Sequence, residues 1–162
     1  MSAEKAFARV LGALIIGLWA TVAIAQDARP SYGGQVSLAT AKKIAVGAMA
    51  EAQKNKWNVA VAIVDTHGFL VYYEMMDDTQ SASAAIAIEK ARTAAMFRRP
   101  SRAFEEAIGK GRNAVLGLPL ATPITGGLPI FVAGKIVGGV GVSGVASDQD
   151  EQVAKAGLDG AK

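Results

Sequence analysis

Two kinds of hydrophobic periodicity alternate along this chain, one typical of helices and one typical of strands. From residue 38 to residue 54, apolar residues recur at spacings of three and four, which predicts an amphipathic helix capped by Ser37. Residues 58–64 (NVAVAIV) are apolar on both alternating faces, as in a central strand that is covered on both sides. The turn sequence DTHG and the apolar run at residues 69–75 complete a predicted β-hairpin.

The next part of the chain is helical in pattern and then irregular. Residues 81–97 are rich in alanine, and Ser101 is placed to cap a short helix that runs to Ile108. Residues 109–127 contain several glycines and two prolines, which predicts an irregular connection with at most one short strand.

Glycines punctuate the apolar stretch from residue 125 to residue 144 (TGGLPIFVAGKIVGGVGVSG), around a turn at Ala133-Gly134. The pattern predicts a buried β-hairpin. So many glycines inside strands indicate close approach of a helix, another backbone or a ligand. Ser147 then caps a last predicted helix, with Asp148 and Asp150 near its positive end.

The order of elements is therefore helix, hairpin, two helices, hairpin, helix. Strands joined by tight turns pair antiparallel, and helices on either side must cover the apolar faces. The predicted fold class is an α/β (α+β) sandwich with a single central antiparallel sheet and helices on both faces. One domain spans residues 37–162, after a polar, flexible lead-in at residues 26–36.

The amino-terminal 25 residues have the pattern of a signal peptide. Lys5 and Arg9 precede an apolar run at residues 10–20, and Ala-Ile-Ala ends immediately before Gln26. The apolar run is shorter than the roughly 20 residues that a bilayer core requires, which disfavours an uncleaved anchor. We expect cleavage before Gln26, a periplasmic or secreted protein, and no stable membrane insertion afterwards.

Composition narrows the possible chemistry. The 162 residues include 17 basic and 14 acidic side chains, for a net charge of +3, so nucleic-acid binding has little support. The chain has no cysteine and one histidine, His67. Disulfides, thiolate sites and multi-histidine zinc sites within one subunit are therefore excluded.

Few side chains remain as candidates for binding chemistry. His67 lies in the predicted turn and is either an ordinary exposed turn residue or an axial ligand to haem iron. Met96 offers a thioether but equally suits core packing. Positive charge gathers near the end of the second helix, which suits either the negative helix end or a clamp for carboxylates or haem propionates; the cations are Lys90, Arg92, Arg98 and Arg99.

Two short matches to enzyme motifs fail in their context. Ser143 in GVSG lacks the glycine spacing and the strand-to-helix turn of a nucleophile elbow, so a serine hydrolase is disfavoured. Gly138, Gly139 and Gly141 lie inside a predicted strand and not in a turn that opens a helix, so they make no dinucleotide-binding fingerprint.

Four segments in order resemble one known family: AIVDTHGFL at 62–70, KARTAAMFRRP at 90–100, the glycine stretch at 126–144, and SDQDEQVAKAGL near the end. Together they resemble the family of GlcG and the haem-binding protein HbpS, and are also similar to the C-terminal domain of PduO. The resemblance covers essentially residues 37–160. It implies a compact α/β sandwich, homo-oligomeric assembly, haem binding in characterised members, and in some a link to haem degradation or redox sensing.

The resemblance also implies which residues form the pocket. Carried over by position, the expected pocket wall consists of Lys90, Thr93, Phe97, Pro100, Gly126, Gly127 and Pro129. Apolar surface from Met96, Phe97 and the glycine hairpin would receive a porphyrin, Arg92 or Arg98 would meet its propionates, and His67 is the candidate iron ligand.

We therefore expect an exported haem-binding protein that serves as a carrier, buffer, redox sensor or accessory of haem degradation. One alternative is an enzyme or accessory protein of a catabolic pathway that binds a small metabolite in the same pocket, with Asp65 among its polar residues. Another is a structural assembly module without a ligand. The sequence leaves open whether the protein is an enzyme.

Overall fold

The elements of the fold follow the predicted order. A computed structural model describes residues 29–162, so the predicted signal peptide lies outside the described residues. In chain order the elements are α1 (Leu38–Asn55), β1 (Ala60–Asp65), β2 (Leu70–Met75), α2 (Ser83–Phe97), α3 (Arg102–Gly109), a short 3-10 helix (Asn113–Gly117), β3 (Gly127–Val132), β4 (Lys135–Ser143) and α4 (Ser147–Gly160).

The four strands form one sheet in the order β2-β1-β4-β3, with every neighbouring pair antiparallel. The two predicted hairpins are β1-β2 and β3-β4, and they join where β1 pairs with β4, with Ala62 opposite Gly141. All six residues of β1 are buried, as its two apolar faces predicted. The predicted fold class is confirmed: helices cover both faces of a single antiparallel sheet.

The face toward α1 and α4 holds the main hydrophobic core. Branched side chains of β1 and β4 point to this side and pack against alanines of α1 and Val153 of α4. Each large apolar side chain removed from water there contributes about 1.5–3 kcal/mol. The buried strand residues of this cluster are Val61, Ile63, Ile130, Val137, Val140 and Val142.

The opposite face is built from very small residues and is covered by α2. Ala87 and Ala91 of α2 lie over β4 so closely that a Cβ added to Gly141 or Gly139 would overlap their carbonyl oxygens. The glycine density in the sequence therefore reflects close packing of a helix against a strand, which was one of its predicted explanations. Consequently α2 has a position fixed by backbone-to-backbone contact.

The predicted helix caps are confirmed in one case and wrong in two. The Ser37 Oγ accepts a hydrogen bond from the Thr40 N–H at 3.1 Å, as predicted. Ser101 makes no capping bond, and its Oγ instead accepts from the Gly127 N–H at 2.9 Å. Ser147 already lies inside α4, and the N–H of Val145 donates to the Asp150 Oδ1 at 3.1 Å. The Ser101 hydroxyl therefore serves a tertiary hydrogen bond and does not cap its own helix.

Two segments of the described chain have no regular helix or strand along most of their length. The connection before β3 contains the 3-10 helix, and no strand is found from residue 110 to residue 126. The lead-in from residue 30 to residue 36, which we call the N-terminal strap, runs beside β4 where β1 has ended. The Gly33 N–H donates to the Ile136 carbonyl and the Val36 N–H to the Val137 carbonyl, both at 2.8 Å.

Candidate functional site

The carboxyl-terminal end of α2 is the point at which several candidate residues meet. The helix ends at Phe97 because Arg98 adopts a left-handed backbone (φ 57°) and Pro100 disfavours helical geometry in the residue before it. Met96, Arg98 and Pro100 are partly or fully exposed around this end. Side chains here can therefore reach a ligand in solvent.

The β1-β2 turn brings His67 to the same end of α2. The Asp65 Oδ1 closes the turn by accepting from the N–H groups of His67 (2.8 Å) and Phe69 (2.9 Å). His67 is exposed, and its Nδ1 lies 3.3 Å from the Thr66 Oγ1 and 3.4 Å from the Gln35 Nε2. Asp65 thus has a structural role that fixes where the imidazole stands.

Gly68 connects this turn to α2. Its backbone is left-handed (φ 85°), and a Cβ added there would lie 3.0 Å from the Met96 Sδ and 3.1 Å from the Arg92 Cγ. The Arg92 Nε donates to the Gly68 carbonyl at 2.8 Å, while its Nη1 pairs with the Glu89 Oε1 at 2.6 Å. The structure therefore packs the turn that carries His67 against Arg92 and Met96, and Arg92 is already occupied by protein partners.

The N-terminal strap adds residues that the sequence prediction missed. The Tyr32 hydroxyl donates to the Met96 carbonyl at 2.7 Å, and the Arg98 guanidinium lies 5.4 Å from the centre of the Tyr32 ring. Arg98 also makes a long hydrogen bond, 3.4 Å, to the Pro30 carbonyl. We call the exposed area formed by His67, Met96, Arg98 and Tyr32 the α2-end surface.

Phe97 faces the other side of the helix end. Its ring meets Phe104 of α3 edge to face, with 5.1 Å between ring centres, and the Arg99 guanidinium stacks over Phe104 at 4.6 Å. Phe97 is half-buried, so it contributes packing and a limited apolar surface. The sequence analysis did not name Phe104, whereas it grouped Arg99 with the cations at the end of this helix.

Lys90 and Thr93 lie in the interior. The Lys90 Nζ is 2.7 Å from the Asp150 Oδ2 and 3.0 Å from the Val142 carbonyl, and both charged side chains are 2% exposed. The Thr93 Oγ1 donates to the Glu89 carbonyl and accepts from the Thr122 N–H, each at 2.8 Å. Both side chains are thus committed to joining elements of the fold and do not face an open surface.

The environment of this ion pair has an electrostatic consequence. Burial raises the pKa of Asp150, against the opposing effects of the hydrogen bond and charge of Lys90. The charge on either partner depends on the other, since an isolated ion at that depth would be strongly disfavoured. Helical spacing could have indicated that Lys90 is buried, because it lies three residues after Ala87 on the buried side of α2.

The glycine motif divides between two places. Gly126 and Gly127 pack behind Lys90 and Ser101, where an added Cβ on Gly126 would lie 2.9 Å from the Lys90 Nζ. Pro129 instead lines a groove of about 390 Å³ between β3, α1 and the end of α4. These three residues are therefore not part of the α2-end surface.

Within residues 29–162 there is no group of three or more histidine, cysteine, aspartate or glutamate side chains that could hold a metal ion. The same part of the chain contains no helix that is long and apolar enough to cross a membrane.

Comparisons with known proteins identify the family to which the chain belongs. Residues 36–159 match the family described as haem degrading protein HbpS-like. Protein GlcG of Escherichia coli K12 is 46% identical over 103 residues, which cover 64% of this chain and 77% of that protein.

Solved structures show the same fold. The Streptomyces reticuli HbpS, solved as a double mutant, superimposes with a TM-score of 0.72 and 29% identity, covering 80% of this chain and 88% of that one. A PduOC structure solved with haem gives a TM-score of 0.70 at 24% identity over 78% of this chain and 94% of that one, a likeness of fold. The match over residues 36–159 shows that this chain belongs to the HbpS-like family.

Proposed function

We propose that this protein binds haem at the α2-end surface and acts outside the cytoplasm as a haem carrier, buffer, redox sensor or accessory of haem degradation. The family connects the chain with haem. The observation that carries the proposal is that Gly68 packs against the Met96 Sδ. His67 directly precedes that glycine, so the exposed histidine is carried by the turn that packs against the Met96 thioether.

The residues present fit a haem group. The His67 Nδ1 is the ring atom near Thr66 and Gln35, and within residues 29–162 the Nε2 has no hydrogen-bond partner. That nitrogen is free to hold haem iron, and Phe69, which is 70% exposed, supplies an apolar neighbour in the same turn. When bound, haem supplies an iron centre whose redox and ligand-exchange chemistry depends on its axial ligand.

The protein side of this interaction is positioned in advance. The carboxylate of Asp65 fixes the turn through two backbone N–H groups, so His67 has a defined backbone position before any ligand arrives. Arg98 has one long hydrogen bond and no carboxylate partner within the described residues, and it can therefore turn toward a propionate. Arg92 is less suited, because Glu89 already occupies it.

Hemin titration tests this proposal directly. The purified protein, His67→Ala and the control Lys43→Ala, a substitution on the exposed side of α1, are titrated while the Soret band is recorded. We expect saturable binding in the wild type and in Lys43→Ala, and a lost or shifted Soret band in His67→Ala. No saturable change in the wild type would refute haem binding, whereas an unchanged spectrum in His67→Ala would exclude His67 as the ligand.

Export is a separate part of the proposal, because it rests on residues 1–25, which lie outside the described residues. We expect the native protein in the periplasmic or secreted fraction with Gln26 as its first residue. Cell fractionation and intact mass measurement test both points. A full-length protein in the cytoplasmic fraction would contradict them.

We also propose a homo-oligomer. The edge strand β2 and its turn expose the apolar side chains of Phe69, Leu70 and Met75, and a second copy that packs along this edge could cover them. Light scattering coupled to size-exclusion chromatography measures the mass in solution. We expect a multiple of the subunit mass, and a monomer at micromolar concentration would contradict the proposal.

A second candidate function is binding of a small metabolite in the groove that Pro129 lines. Its volume of about 390 Å³ lies in the range of small-ligand sites, and Lys155 stands beside its apolar floor, whereas Lys162 is paired with Asp159 at 2.6 Å. Thermal stabilisation by small carboxylic acids in a protein that shows no hemin binding would favour this function, since a ligand selective for the native state raises its apparent stability.

A further inference from the structure

Arg99, directly after the Arg98 that ends α2, holds an unusual guanidinium. The group stacks on the Phe104 ring at 4.6 Å, and Phe104 in turn packs edge to face on Phe97. The Arg99 Nε is buried and has no hydrogen-bond partner in the described part of the chain. A buried, unpaired N–H on a cation is costly, so an unmet donor of this kind calls for an acceptor.

The surroundings of Arg99 contain positive charge without a counter-charge. Within residues 29–162, no carboxylate forms an ion pair with Arg99, whereas Arg92 and Arg102 on neighbouring helices both have acidic partners. Burial lowers the pKa of Arg99, and the nearby charges of Arg29 and Arg112 lower it further. An anion placed among these groups would relieve both the desolvation and the repulsion.

The chain next to this cluster is apolar and exposed. Arg112 is joined to the end of α3 by a hydrogen bond from its N–H to the Ala107 carbonyl at 2.9 Å. Immediately after it, Leu116 and Leu120 are 67% and 64% exposed, and Leu120 has a left-handed backbone (φ 65°) that is rare for a leucine. A cationic cluster next to an exposed apolar loop could bind the acidic group and the apolar part of one amphiphilic ligand.

We propose that Arg99, beside Arg29 and Arg112, binds the carboxylate of an amphiphilic apolar acid. A guanidinium held flat against an aromatic ring presents its N–H edge to a planar acceptor, and a carboxylate accepts two such bonds in parallel. If the proposed function holds, this acid is haem, and the carboxylate bound at Arg99 is one of its propionates. The identity of the ligand rests on the proposed function; the carboxylate site does not.

The first experiment uses a probe without iron. Benzoate is titrated into the 15N-labelled protein while the Nε–H signal of Arg99, assigned by its loss in Arg99→Gln, is followed by NMR. We expect a saturable shift with benzoate and none with benzyl alcohol, which has the ring but no charge. Arg112→Gln should weaken benzoate binding several-fold, and the control Lys43→Gln should leave it unchanged. Backbone amide spectra verify that each variant is folded.

The second experiment separates the carboxylate from the iron. Protoporphyrin IX and its dimethyl ester, both without metal, are titrated and binding is followed by fluorescence. Loss of a charged hydrogen bond predicts that the wild type binds the ester at least about tenfold more weakly than the acid, and that Arg99→Gln removes this difference.

The outcomes distinguish the two proposals. An Arg99 signal that moves with benzoate in a protein that fails to bind hemin supports the carboxylate site and refutes the haem function. The carboxylate site is refuted if benzoate does not shift the Arg99 signal and if wild type and Arg99→Gln each bind the acid and the ester equally well. If the same protein binds hemin saturably, the haem function is still supported.

Discussion

Lys90 and Arg99 are cations on the same stretch of chain, yet they meet opposite surroundings. Lys90, in the middle of the face that α2 packs on the sheet, has a carboxylate at 2.7 Å and a backbone carbonyl at 3.0 Å. Arg99, beyond the helix end, has an aromatic ring and two like charges near it. The comparison teaches that a satisfied buried cation holds the fold together, while an unsatisfied one is available for a ligand.

Removal of Lys90 should have the largest effect. Lys90→Met leaves Asp150 buried without its partner, and breaking a buried pair in this way costs about 3–5 kcal/mol. Urea unfolding measures the free energy of unfolding. The double variant Lys90→Met/Asp150→Leu should recover most of the loss, because it leaves no unpaired charge. A loss below about 1 kcal/mol in the single variant would show that the pair is not a structural support.

The close contact between α2 and β4 should tolerate almost no added volume. In Gly141→Ala the new Cβ overlaps the Ala87 carbonyl, and we expect destabilisation by about 3 kcal/mol, at the upper end for overpacking. The matched control is Gly109→Ala at the end of α3, where a Cβ would meet nothing within 4 Å. Equal stability of the two variants in urea would contradict a fixed position of α2.

The pH dependence of stability tests the charge state of the interior pair. Because burial raises the pKa of Asp150, the folded protein binds this proton more tightly than the unfolded chain does. The free energy of unfolding of the wild type, measured relative to that of Asp150→Asn, should therefore increase as the pH falls from 7 toward about 4. A relative loss over this range would mean that Lys90 dominates and lowers the pKa of Asp150.

Arg99 should have the smallest effect on stability. Arg99→Gln removes a stacked cation but also its repulsion from Arg29 and Arg112, so we expect a change within about 0.5 kcal/mol in urea unfolding. If Arg99→Gln loses affinity for the carboxylate ligand but keeps its stability, Arg99 serves binding, in contrast to Lys90, which serves the fold. A loss similar to that of Lys90→Met would instead assign Arg99 to the structural support of the fold.

Local patterns in the sequence predicted most of the fold. The apolar run in residues 58–64 and the spacing of apolar residues in 38–54 depend on neighbours along the chain, and they appear as β1 and α1. Ser101 was misassigned as a capping side chain because its hydroxyl accepts from the distant Gly127 N–H. Ser147 was misassigned because α4 begins one residue earlier than predicted, with Ala146 at the N-cap position.

The candidate site was less predictable, because its residues come from separate segments. The sequence placed Lys90 on a pocket wall, but its partner Asp150 is 60 residues away, and such a pairing leaves no local signal. Tyr32 lay in a segment that looked like a linker, and its hydroxyl reaches Met96 across 64 residues. His67 and Met96 were proposed from their chemistry, and the contact through Gly68 emerged from the fold.

The N-terminal strap determines where the chain can be shortened. Its backbone bonds to Ile136 and Val137 continue the sheet beyond the end of β1, so the strap occupies a strand edge that would otherwise be bare. Deletions that stop before Pro30 leave this edge covered. Deletions that remove Tyr32 and Gly33 would uncover it and also release the Met96 carbonyl, so truncated or tagged variants for any of these experiments should begin upstream of Pro30.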